Sequence, residues 1–71
     1  MVLSKDLVGK EIIVLSLGSA VVEGRVLSVG RDEIELEVTV TKSSQMGKYT
    51  YKRIAQINTD LIYAIMYEKG A

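Results

Sequence analysis

Glu33, Glu35 and Glu37 stand at every second position, directly after Arg31-Asp32, in the stretch VLSVGRDEIELEV. Carboxylates at that spacing share one face of an extended strand, which raises two kinds of chemistry: a hard-cation site and an acid–base pair. Cation sites usually draw their oxygens from converging loops, whereas three glutamates on one flat face form a solvated stripe. The stripe is the plainer reading, and such a face repels phosphate. Composition narrows the chemistry further. The chain has no cysteine and no histidine, so the common nucleophile–base pairs are missing. Gly18, Gly24, Gly30 and Gly47 stand singly and make no glycine-rich phosphate loop. The chain reads as non-enzymatic, with no catalytic residue, no metal site and no cofactor.

Arg31 is the residue of that stretch with a use in binding. A guanidinium in a turn can stack on a base or meet a phosphate, and it can equally be a solvated turn residue. Nine basic and nine acidic side chains cancel, which excludes a strongly basic nucleic-acid binder. A polyanion must then be met by a local patch. A second polar group, Asn58-Thr59-Asp60, lies just before the last apolar run.

The elements that position these residues come from periodicity. Glu33 to Thr41 alternates without exception, with Ile34, Leu36, Val38 and Val40 on one face, as a half-buried strand requires. Glu11 to Leu17 and Ala20 to Val29 are β-branched runs flanking Gly18-Ser19, a two-residue turn of the Gly-first kind. Lys42 to Gly47 reads as a polar loop, Lys48 to Ile57 as a fourth strand and Leu61 to Tyr67 as a fifth. Ser4 can cap one or two helical turns reaching Val8. If Thr41 faces Lys48 across the loop, Glu37 faces Lys52 as a cross-strand ion pair. Arg53 then shares a face with Tyr49 and Tyr51, and needs either a partner or a bulge.

Seventy-one residues make one domain, 1–71, near the size where a lone domain is marginal. With 48% apolar residues and no cysteine to staple it, the chain needs regular packing or a partner subunit. Missing cysteine fits a reducing, cytoplasmic setting. Met1 to Lys10 has no basic head and no apolar stretch of a signal peptide, and no apolar run approaches the ~18 residues of a membrane span. Five short antiparallel strands suggest an all-β fold, a small SH3-like or OB-like barrel whose closure removes exposed edges. Gly24, mid-strand, marks a sharp bend or a close backbone approach.

Leu7, Gly9-Lys10, Ile12 to Leu17, Gly18, Gly24 and Val26, within LVGKEIIVLSLGSAVVEGRVLSV, resemble the first signature of the Sm and Sm-like (Lsm) proteins. INTDLIYAI, Ile57 to Ile65, is similar in outline to the second signature, and Tyr51-Lys52-Arg53 resembles the Tyr-Lys-His of the Hfq branch. The resemblance covers Leu7 to about Tyr67. It implies an Sm-like five-stranded barrel in a ring of about six or seven subunits that binds single-stranded, often uridine-rich, RNA. In such rings strand five of one subunit pairs with strand four of its neighbour. The residues support that part independently: Leu61, Tyr63, Ile65 and Tyr67 alternate with Ile62, Ala64 and Met66, so the last strand is apolar on both faces. One small barrel covers only one of them, which favours a subunit interface over a strand tucked across its own barrel.

The base-reading positions depart from the family pattern. With Gly24 on the family glycine, Gly30 falls where an aspartate belongs, either Glu33 or Ile34 takes the asparagine position, and Asn58-Thr59 replaces Arg-Gly. What remains near the pore is Arg31, Asp32, Asn58, Thr59 and Asp60, with Arg31 carrying any residual binding. The expected molecule is a cyclic homo-oligomer acting as an RNA-associated scaffold with weak or altered uridine recognition, assembled through Leu61, Ile62, Tyr63, Ile65 and Tyr67. The alternative is a small SH3-like protein-interaction or structural module that binds no nucleic acid.

Overall fold

The structure is a computed structural model that describes residues 3–18 and 20–69. A 3-10 turn, Lys5–Leu7, precedes five strands: β1 Glu11–Ser16, β2 Ala20–Val29, β3 Glu33–Ser44, β4 Gly47–Asn58 and β5 Ile62–Tyr67. All pair antiparallel in one sheet of order β4-β3-β2-β1-β5. Among the described residues there is no α-helix, hence none long and apolar enough to cross a membrane. Ser4 caps the first turn as its side chain suggested, its Oγ accepting from the Asp6 N–H at 3.1 Å.

The sheet does not close, so the expectation that closure hides the edges fails: β4 and β5 are left as unpaired edges. It is nevertheless strongly curled. A flat five-stranded sheet separates its edge strands by about 19 Å, yet only the 3-10 turn Thr59–Leu61 carries the chain from β4 to β5. The four steps from Asn58 to Ile62 advance roughly 8 Å at the rise of that conformation. The core lies inside the curl and consists of Leu3, Ile12, Val14, Val26, Val29, Ile34, Leu36 and Ile62. Ile34 and Leu36 are buried and Val38 and Val40 half-buried, as the alternation of β3 requires.

At Gly24 the backbones of β2 and β3 approach closely. A Cβ built there would sit 2.5 Å from the Glu37 carbonyl oxygen. Farther along β2 a bulge at Leu27 shifts the register with β3 by one residue.

Three sequence expectations are corrected. Ser16 pairs with Ala20, so the β1–β2 connection is three residues long instead of two; Gly18 takes φ +87 there and Ser19 lies outside the described residues. Lys42 to Gly47 is not a loop, because β3 and β4 run on to the pair Ser44↔Gly47 and leave only Gln45-Met46 between them. Ser44 makes this tight turn possible: its Oγ accepts from the Met46 N–H (3.2 Å) and donates to the Gly47 carbonyl (3.0 Å). Thr41 therefore faces Thr50, and Lys52 faces Thr39. A slip of two keeps every side chain on its expected face, and Lys52 still reaches Glu37 diagonally at 3.1 Å. Third, a bulge opposite Leu15 and Ser16 breaks the alternation of β5: Val14 faces Ile65 and Ser16 faces Ile62, so Ile62 joins the face of Ile65 and Tyr67.

Candidate nucleic-acid interface and assembly edges

Two turns meet at one end of the sheet. In the first, the Gly30 N–H donates to the Glu33 carbonyl at 2.8 Å, which leaves Arg31 and Asp32 exposed at the apex. In the second, Asn58 caps the turn Thr59–Leu61, its Oδ1 accepting from the Asp60 N–H at 2.8 Å. The Thr59 N–H donates to the Asp32 carbonyl at 2.9 Å, locking the turns together. The five residues singled out from sequence are thus brought into one place. Their capacities differ. Thr59 is only 1% exposed and serves the core. The Asn58 carbonyl oxygen is committed to the backbone of its own turn. Arg31 is left as an exposed cation next to exposed Asp32, with exposed Asp60 on the adjoining turn, a weak setting for holding an anion.

The residues expected at an assembly interface lie on or just before β5, one edge of the sheet. On β5 the bulge turns Tyr63 outward to 59% exposure, and Leu61, Met66 and Tyr67 are also exposed. Ile62 is buried in the core and Ile65 packs against it, so both are engaged in the chain's own packing. Leu17, also exposed, joins the patch, since its N–H donates to the Leu61 carbonyl at 2.8 Å. Across the sheet, β4 presents Ile54 at 58% exposure on the otherwise polar outer face. Both unpaired edges therefore carry apolar side chains.

On the outer face two of the three glutamates have partners. Lys52 Nζ lies 3.1 Å from Glu37 Oε1, and Gln56 Nε2 donates to Glu35 Oε1 at 3.2 Å. Arg25 pairs loosely with Glu11 at 3.4 Å. Among the described residues no group of three carboxylates is placed to hold a metal ion. A shallow depression on this face is lined by Glu11, Glu23, Arg25, Glu37 and Lys52, so opposite charges already meet across it.

Compared with family models, curated proteins and solved structures, the chain matches none. Function must then be argued from the chemistry these residues present.

One cluster went unread in the sequence. Arg53, placed on the inner face with Tyr49 and Tyr51, has found a partner without a bulge: its guanidinium carbon lies 4.3 Å from the Tyr51 ring centroid, and Nη1 donates to the Lys52 carbonyl at 2.9 Å. Lys42 Nζ approaches the same ring at 5.6 Å, and the Tyr49 and Tyr51 rings stack at 6.1 Å with 27° between planes. The signal was present as Tyr-x-Tyr-x-Arg at period two, opposite Lys42. It became legible only with the register Lys42↔Tyr49 fixed by the tight turn.

Proposed function

We propose that the chain is the subunit of an Sm-like cyclic homo-oligomer, a non-catalytic, cytoplasmic scaffold that associates with single-stranded RNA and discriminates uridine poorly. The observation that carries this reading is the pair of dissimilar, unpaired, partly apolar edges, β4 and β5, on one curled sheet. An exposed edge strand is a template for pairing, and an apolar one left bare invites aggregation. Edges that differ from each other associate head to tail, and such contacts close into a ring when the rotation per step allows it. The strand order supports the reading as well, because it leaves free the two strands that join neighbouring subunits in the family the sequence resembles. Weak base choice follows from the pore-side turns. Buried Thr59 is withdrawn from any base edge, Asn58 Oδ1 already accepts from its own turn, and Arg31 is the exposed cation there to meet a phosphate.

Those same commitments are what favours the runner-up, a small SH3-like interaction module without nucleic-acid binding. Solution mass together with RNA titration separates them. The ring should run at a fixed multiple of the 7.8 kDa subunit and bind oligo-U and oligo-A about equally, with affinity falling steeply as salt rises. A monomer that ignores both RNAs sinks the proposal, and tight U-selective binding sinks the account of the turns.

A further inference from the structure

The four cations Lys42, Lys48, Lys52 and Arg53 lie between Val38 and Thr59, a segment without a single carboxylate. Elsewhere five cations face nine carboxylates, so a chain with no net charge is divided into a basic hairpin and an acidic remainder. The field near a surface depends on this local arrangement. Lys52 is drawn to Glu37 on the outer face. On the inner face Lys42 and Arg53 flank Tyr51, with Tyr49 stacked beside it and half open to solvent. Among the described residues no carboxylate pairs with either cation.

We propose that the inner face of the β3–β4 hairpin end is a second, pore-independent site for single-stranded nucleic acid, in which Tyr49 stacks on a base and Lys42 and Arg53 contact flanking phosphates. Single-stranded nucleic acid is recognised by this combination of aromatic platforms and cations along the backbone path. An acidic peptide would use the cations and leave the stacked rings without a role. Assembly leaves room for it: β5 has six residues and β4 twelve, so a neighbour's β5 can pair with only about half of the edge. The hairpin extends beyond the core, and all of residues 41–50 are exposed. The site takes its ligand class from the RNA-scaffold reading and supplies what the pore-side turns lack.

The experiment measures binding of a fluorescein-labelled, mixed-sequence RNA of about 16 nucleotides, a span that a single-strand groove can accommodate. The parent is compared with Lys42→Gln/Arg53→Gln, Tyr49→Ala and Arg31→Ala, each checked for oligomeric mass. The double variant should lose affinity at least about tenfold at low salt and flatten the log–log salt slope by about 1.4, the share of two phosphate contacts on a single strand. Tyr49→Ala should lose about tenfold with the salt slope unchanged, since stacking releases no counterions. Ultraviolet cross-linking of the unmodified protein to the same RNA should label peptides containing Tyr49 or Tyr51. If the parent binds but the hairpin variants bind equally well, or cross-links fall only at Arg31 or Tyr63, this site is wrong and the scaffold reading stands. If the parent binds no RNA, both are wrong. A change of mass in the hairpin variants, with cross-links elsewhere, overturns the site by making the hairpin an assembly surface.

Discussion

At Gly24 the backbone of β2 passes so close to β3 that the side chain must be a hydrogen atom. An added methyl would meet the Glu37 carbonyl oxygen at 2.5 Å and its carbon at 3.1 Å, and both belong to backbone that is itself paired. Neither can move aside the way a flexible side chain can. Overpacking of this kind costs about 1–3 kcal/mol, so Gly24→Ala should lower the urea midpoint without changing the slope of the transition. An unchanged midpoint would mean that the strands separate there at little cost. This glycine was readable in the sequence, because its position inside a β-branched run leaves few other reasons for it. Thr59 was not. Nothing in Asn-Thr-Asp distinguishes the residue that is buried from its two exposed neighbours until the turn Thr59–Leu61 is in place.

Among the elements, β5 shows how far alternation carries and where it stops. Its existence and its two-sided apolar character were legible, but its faces were not, because a bulge inserts one residue without leaving a mark in composition. The consequence is practical. Ile62 and Ile65 look like interface residues by alternation, yet both belong to the subunit's own packing. Ile62→Asp would bury an unpaired charge at several kcal/mol and should unfold the subunit, whatever its role in assembly. Tyr63→Asp places the same charge on a side chain already turned to solvent. It should keep cooperative unfolding and the circular-dichroism signature of the sheet while shifting the proposed ring to smaller species in light scattering. Retention of the parent mass by Tyr63→Asp would remove β5 as the pairing edge. The β3–β4 hairpin makes the complementary point. Its polar tip reads as a loop by composition, and only the Ser44 side-chain bonds show why two residues suffice to turn it.

At the scale of the whole molecule the question is whether one subunit can stand alone. Among the described residues of this 71-residue chain, eight buried apolar side chains form the core and eleven large apolar side chains remain exposed. No disulfide compensates, since there is no cysteine. Domains of this size bury a smaller share of their surface than larger ones and are marginal, whereas subunits that pair their edges gain stability by mass action. A subunit that folds only when assembled gains about 1.3 kcal/mol for each tenfold rise in protein concentration. For a chain this short such a gain moves the thermal midpoint by roughly 5–10 °C. Heating the protein at concentrations spanning two decades should therefore show the midpoint climbing by that step with each decade. The expectation is independent of any nucleic acid, so it tests the assembly half of the proposed function by itself. The rival module, folded as a monomer, has no such linkage. A midpoint that stays fixed across the series would show that the curled sheet is complete without a neighbour, and that its apolar edges serve something other than self-association.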